Sequence, residues 1–279
     1  MNQNPLKLMC ILAHPDDESL GTGGILARYA DEGVHSSLIT ATRGQRGWQG
    51  DAADNPGQEA LGQIREAELR AAAEVLGVQE LILLDYVDGD LDKAEWKTAV
   101  SQIAHHIRRI QPHVVVTFDP YGSYGHPDHI AISQMAAAAI MAASSSNGKG
   151  AQPPHQVTKL YYMADTADFD HIYESIFGEL VMTVDSQDRR IVSWPDWAIT
   201  TQIETTVYVS QIWEAIACHR TQLPSYEAMM QLPAAQRQRL FTQQGFYRVF
   251  SLVNGGREIE RDLFAGLRQG EVINAYKNN

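Results

Sequence analysis

Four short apolar runs constrain the fold more than any other feature: "LKLMCILA" (6–13), "HSSLITAT" (35–42), "ELILLDY" (80–86) and "HVVVTF" (113–118). The segments between them carry helical spacing over 20–33, 59–78, 94–110 and 128–143, with Gly33 and Gly77 as stop signals. Strand and helix in alternation predict βαβ units with parallel pairing. Right-handed crossovers then predict an α/β fold, a Rossmann-like three-layer α/β/α sandwich with a mostly parallel sheet. The first strand is not followed by G-x-G-x-x-G. "GTGG" (21–24) is a different pattern, so a dinucleotide site is not indicated.

Beyond this core (6–143), "SSSNGKGAQPP" (144–154) has the composition of a linker. "QVTKLYYMA" (156–164) predicts a fifth strand. Residues 165–203 are mixed and read as an insertion or lid. "ETTVYVS" and "GFYRVFSLV" (245–253) are strand candidates around a helix at 210–222. With 279 residues the chain reads as one domain, 1–279, with a C-terminal extension over 155–279.

A net charge of -12 without any Lys/Arg run argues against a nucleic-acid or anionic-membrane surface. Cys10 and Cys218 lie outside any CxxC spacing and read as buried free thiols in a reducing compartment. Neither a signal peptide nor a run of about 20 apolar residues is present, so the expected location is cytoplasmic.

Two polar segments stand directly behind apolar runs. "HPDDE" (14–18) follows the first, and "DPYGSYGHPDH" (119–129) follows the fourth. By itself "HPDDE" reads as an acidic helix N-terminus, where carboxylates face the positive end of the helix dipole. Ligands in open α/β sheets gather beyond the carboxyl ends of strands, and both segments belong there. His14 and Asp17 are three residues apart and can turn inward together, and His129 completes a set of two imidazoles and one carboxylate. That donor set suits Zn2+ with an open position, and Fe2+ or another divalent ion uses the same donors. Asp16 is then a spare carboxylate able to take a proton from water, as a hydrolase requires.

With "AHPDDE", "IREAELRAAAEVLGV" and "GHPDH" in this order, the chain resembles the PIG-L/LmbE-like zinc-dependent N-acetylglucosamine deacetylases, the family that supplies the deacetylases of mycothiol and bacillithiol synthesis. The likeness covers residues 6–143 and continues loosely through "KLYYMA" and "ACHRTQ". It implies zinc on His14, Asp17 and His129, and Asp16 as general base. It implies that His126 stabilises the oxyanion and that Asp128 orients and tunes His126. Arg65 and Asp88 would contact a small amino-sugar substrate, and Tyr124 resembles a mobile tyrosine of the mycothiol-type branch. The implied reaction removes an N-acetyl group from an N-acetylglucosamine-type glycoside.

One departure bears on the substrate. The family's Thr-x-Gly-Glu-x-Gly loop reads "TRGQRG" here, so Gln45, a substrate-binding candidate, replaces an acid, and Arg43 and Arg46 make the loop basic, read first as solvated loop arginines and in the alternative as room for an anionic aglycone. His105 and His106 read as surface or packing residues, and His219 as lining the pocket or packing in the core. Trp194 and Trp197 read as a sugar-stacking lid or as anchors of the insertion. Glu18 reads as a cap or a support for a ligand. Three rival readings are an amidase on larger N-acyl conjugates, a non-haem iron oxygenase, and a non-catalytic sugar-binding module. A homo-oligomer is compatible with the composition.

Overall fold

The computed structural model describes residues 5–145, 152–179, 181–184 and 186–268. β1 (Lys7–Leu12), β2 (His35–Thr42), β3 (Glu80–Tyr86), β4 (Val114–Thr117), β5 (Lys159–Met163), β8 (Thr201–Glu204) and β9 (Gln243–Ser251) form one seven-stranded sheet. Its order is β3-β2-β1-β4-β5-β9-β8. Pairing is parallel from β3 to β5, and β9 is antiparallel to both β5 and β8. The apolar run of β1 is its centre: residues 8–13 have no exposed surface. Full burial of each such aliphatic side chain contributes about 1.5–3 kcal/mol relative to exposure, so this strand must be apolar on both faces.

The first half of the sheet grows in one direction and the second in the other. β1 leads to β2 and β3 through α2 (Gly23–Asp31) and α3 (Gln58–Val75). β3 returns to β4 through α4 (Trp96–Ile110), and β4 continues to β5 through α5 (Pro127–Ser144). Right-handed crossovers in opposite directions place these two pairs of helices on opposite faces. α4 packs on α5, while α3 and α2 share α7 (Val209–Cys218). The strand order reverses between β1 and β4, so the crevice for a ligand opens beyond their carboxyl ends.

Several boundaries differ from the expectations. The helix expected at 20–33 is two helices, α1 (Asp17–Gly21) and α2, broken at Thr22. "ETTVYVS" is not a strand: Thr206–Tyr208 is a turn of 3-10 helix, and the real strand β8 precedes it. The helix expected at 210–222 ends at Cys218. The 165–203 insertion contains α6 (Ala167–Phe177) and a hairpin of β6 (Val181–Val184) with β7 (Gln187–Arg190). It is followed, past α7, by α8 (Leu223–Met230) and α9 (Ala234–Leu240). Most of the expected linker, 146–151, lies outside the described residues. Cys10 is buried, but Cys218 is only half-buried. Among the described residues, no helix is long and apolar enough to cross a membrane.

Candidate active site

β1 ends where His14-Pro15 interrupts the ladder, since proline has no N–H to donate. The chain then turns sharply. Asp16 takes a left-handed backbone, φ 118° and ψ -28°, and α1 starts at Asp17. Asp17 Oδ2 accepts from the amides of Ala13 (3.1 Å) and His14 (2.7 Å), which locks the turn onto the strand end. At the neighbouring strand end, Pro127 opens α5 and His126 caps it, its Nδ1 accepting from the Asp128 amide at 3.1 Å. His129 follows in the first turn of α5, its ring stacked on Phe118.

The two strand ends bring three donors together. His14 Nδ1 lies 3.2 Å from His129 Nε2, His129 Nε2 lies 3.4 Å from Asp17 Oδ1, and His14 Nδ1 lies 3.7 Å from Asp17 Oδ2. The first two spacings match the about 3.3 Å between donors on a tetrahedral ion with bonds of about 2.0–2.1 Å, the third is made by the other Asp17 oxygen, and among the described residues His14, His126 and His129 also stand close enough together to hold an ion. The surrounding charge agrees. Burial opposes a charge on His14, but hydrogen bonds to Asp128 and Asp88, reinforced by Asp17, raise its pKa to about 10. Burial likewise opposes ionisation of Asp17, and the two histidines overcome it and hold the carboxyl well below its usual range.

Asp128 is bonded through its side chain to His14 and not to His126, although its charge still acts on His126. Its fully buried carboxylate reaches His14, with Oδ2 3.1 Å from His14 Nε2, and accepts from the amides of Gly89 (2.7 Å) and Leu91 (3.0 Å). Its only hydrogen bond to His126 is through its backbone N–H. Asp128 therefore orients His14 and leaves Nδ1 turned toward His129 and Asp17. Asp88 Oδ1, 3.3 Å from the same Nε2, assists it. His126 is held by its cap, not by a carboxylate. Burial, with His14 and His129 adding to it and Asp128 and Asp17 pulling the other way, lowers its pKa to about 4. A neutral ring whose Nδ1 accepts a hydrogen bond carries its proton on Nε2 and is a donor.

Asp16 sits beside the triangle with both neighbours on one oxygen. Its Oδ2 accepts from Arg65 at 3.2 Å and from the Tyr226 hydroxyl at 2.7 Å. Arg65 also donates to the carbonyls of Pro15 (2.5 Å) and Gly44 (2.9 Å). A Cβ at Gly44 or Gly47 would collide with its guanidinium, which accounts for both glycines of "TRGQRG". Arg65 is thus a buried clamp on the catalytic turn, although its edge reaches the cavity.

These groups line the floor of a cavity of about 530 Å³. Asp88 and Tyr124 are on its wall, and the Tyr124 ring meets His126 and His129 edge-on. Gln45 is not there. It donates to the Tyr86 carbonyl (3.3 Å) and lines a separate surface depression. The basic loop is also neutralised, Arg43 by Glu66 and Asp85 and Arg46 by Asp90, so the anionic-aglycone expectation loses its basis. Trp194 lines the cavity and donates to Asp119 Oδ2 at 3.1 Å, whereas Trp197 is 87% exposed and covers nothing. His219 is fully buried outside the cavity, against Glu18. His105 is a surface residue of α4, as expected. Tyr226 and Asp119 escaped the sequence reading, because neither carries a ligand spacing and Tyr226 lies 210 residues from its partner.

Comparison with known proteins follows the same lines. Residues 9–140 match the family model described as PIG-L, GlcNAc-PI de-N-acetylase. The sequence is 35% identical to 1D-myo-inositol 2-acetamido-2-deoxy-alpha-D-glucopyranoside deacetylase of Streptomyces griseus, over 94% of this chain and 89% of that protein. The fold resembles N,N'-diacetylchitobiose deacetylase from Pyrococcus horikoshii, with a TM-score of 0.65 at 20% identity, covering 87% of this chain and 83% of that one. It also resembles GalB, the 4-carboxy-2-hydroxymuconate hydratase of Pseudomonas putida, with a TM-score of 0.61 at 20% identity, covering 90% and 99%. A deacetylase and a hydratase share this architecture, so the reaction must be argued from the site.

Proposed function

The chain belongs to the GlcNAc-PI de-N-acetylase (PIG-L) family, and on that premise we propose that it hydrolyses the N-acetyl amide of a 2-acetamido-2-deoxyglucoside, releasing acetate and the free amine. The observation that carries this reading is the donor triangle of His14, Asp17 and His129 with the spare carboxylate of Asp16 beside it, at the floor of a substrate-sized cavity.

His14, Asp17 and His129 would hold the metal, which we assign as Zn2+ from its two imidazoles, one carboxylate and remaining open positions. When bound, the ion would polarise the acetyl carbonyl and make a neighbouring water acidic. Asp16 takes the proton of the attacking water and later delivers it to the departing amine. Its Oδ2 is anchored by Arg65 and Tyr226, so Oδ1 is the oxygen left for the exchange. His126 donates from Nε2 to the oxygen of the tetrahedral intermediate, a contact that strengthens as charge develops. Asp88 and Tyr124 face the sugar from the cavity wall. An iron oxygenase would use the same three donors but has no task for Asp16.

One observation favours a second reading, an amidase for larger N-acyl groups. The cavity extends from the polar floor to Met163, Ile191, Trp194, Met229, Leu240 and Phe241, an apolar wall that an acetyl group alone does not need.

The test is release of amine and acetate from a panel of N-acyl glucosaminides by the metal-loaded protein. Equimolar products are expected, and Asp16→Asn should lower the rate about 10²–10⁴-fold. A panel in which no member yields amine would overturn the proposal, and faster release from long acyl chains than from acetyl would select the second reading.

A further inference from the structure

We propose that the buried pair Glu18–His219 is a positioning element for Asp16, holding the turn that aims its carboxylate away from that of Asp17. The proposal rests on reading Asp16 as the base. Neither Glu18 nor His219 lines the cavity, so neither touches substrate.

Two consecutive aspartates must do different work from one short turn. Asp17 folds its carboxylate back onto the strand end and toward the histidines. Asp16 sends its own toward Arg65 and Tyr226. The divergence depends on the left-handed backbone of Asp16, a conformation that residues other than glycine rarely adopt. Such a conformation persists only where its surroundings over-determine it.

Glu18 is the main restraint. Its Oε2 accepts from the Asp16 amide at 2.9 Å. Its Oε1 is bonded to His219 Nε2 at 2.6 Å and to Ser19 Oγ at 2.5 Å. Each carboxylate oxygen thus has its own role, one anchoring the group and one holding the turn. Glu18 and His219 are both fully buried, and a carboxylate there needs such a partner. His219 stands at the C-terminal end of α7, which packs on α1 and α2. Among the described residues its Nδ1 has no hydrogen-bond partner, so the polar function of the ring is spent on Glu18, with a long contact of 3.4 Å to Ser19 Oγ. The C-terminal extension therefore supplies the restraint behind the base, in addition to part of the cavity wall.

The experiment compares His219→Gln, Glu18→Ala and Glu18→Gln with wild type in the full-length, metal-loaded protein. Metal content and thermal unfolding are checked first. For His219→Gln and Glu18→Ala, kcat should fall about 10–100-fold, the scale of a misplacement of about 1 Å, with KM and metal content within about twofold of wild type. Glu18→Gln keeps an acceptor for the Asp16 amide and should retain most of the activity. In an Asp16→Asn background the same substitutions should cost almost nothing further, because residues that act through one group are not additive. Crystal structures of the variants give a readout that needs no turnover: Asp16 should leave the left-handed region in Glu18→Ala. Losses that persist undiminished beside Asp16→Asn, or an unmoved Asp16 with unchanged kcat in Glu18→Ala, would overturn the proposal. If wild type shows no deacetylase activity, the functional reading fails, and the backbone of Asp16 in Glu18→Ala still decides the structural claim.

Discussion

The Tyr226 hydroxyl donates to Asp16 Oδ2 at 2.7 Å, joining α8 to the first catalytic turn across 210 residues of sequence. Burial, opposed chiefly by Arg65, raises the pKa of Asp16 above its ordinary value, and the Tyr226 hydrogen bond pulls it back down. Tyr226→Phe removes that stabilisation of the charged form. Without that hydrogen bond the protonated carboxyl gains on the carboxylate, so kcat should fall on the acidic side of neutral, where the base becomes protonated. The carboxyl pKa should move further up, carrying the acidic limb of the kcat profile to higher pH. A pH profile of metal-replete Tyr226→Phe that superimposes on wild type would exclude Tyr226 from any role at the base.

The donor triangle predicts one divalent ion per chain. Alanine at His14, Asp17 or His129 should each abolish stoichiometric metal binding, because two remaining donors do not define the site. Elemental analysis after dialysis measures this directly, and full occupancy in His129→Ala would sink the assignment. A strong chelator should stop turnover of wild type, and added metal should restore it.

The Asp128 side chain is bonded to His14, so its removal should show first in the metal, with the loss of its charge also lowering the His126 pKa. Asp128→Asn should weaken metal affinity about 10–100-fold, the usual effect of losing a ligand's hydrogen-bonded support. Saturating metal should then recover much of the activity. Competitive metal titration is the measurement. Wild-type affinity in Asp128→Asn would return Asp128 to a purely structural role.

A second buried carboxylate predicts the acid stability of the fold. Glu260 is bonded to Lys159 (2.6 Å), Tyr161 (2.8 Å), Thr201 (2.7 Å) and Asn254 (2.6 Å), which ties β5 and β8 to the C-terminal segment. Burial pushes its pKa up, and these partners, Lys159 first, outweigh it and hold it at about 2, below an ordinary 4.5. A depressed carboxyl stabilises the fold above its unfolded pKa. That contribution should fade as pH falls from about 4.5 toward about 2. Glu260→Gln removes the carboxylate that Lys159 and Arg248 share and should cost about 3–5 kcal/mol at neutral pH. Urea unfolding from pH 7 to 3 checks both points: the gap between wild type and variant should narrow with acid, and a constant gap would contradict the linkage.

The sequence by itself determined the parallel core and the pair of motifs. Apolar runs of strand length separated by helical periodicity leave few topologies, and each motif stands directly behind its strand. Their meeting also follows from local order, since any right-handed winding that reverses between β1 and β4 brings residues 14–18 and 126–129 to one edge. Only the tertiary structure decided the directions of side chains and the work of the C-terminal extension. That Asp128 reaches His14 depends on the Gly89 and Leu91 amides, which arrive from the end of β3. That Gln45 turns away from the cavity depends on its bond to the Tyr86 carbonyl. The hairpin β6–β7 and helices α8 and α9 are short, with mixed burial, so their periodicity is weak and their placement comes from packing on the core. Tyr226 and Arg65 reach Asp16 from distant parts of the chain, and His219 reaches it through Glu18, two residues on from Asp16. Local spacing records only neighbours a few residues apart, whereas the contacts of Tyr226, Arg65 and His219 exist because α7 lies against α1 and α3 in the folded core.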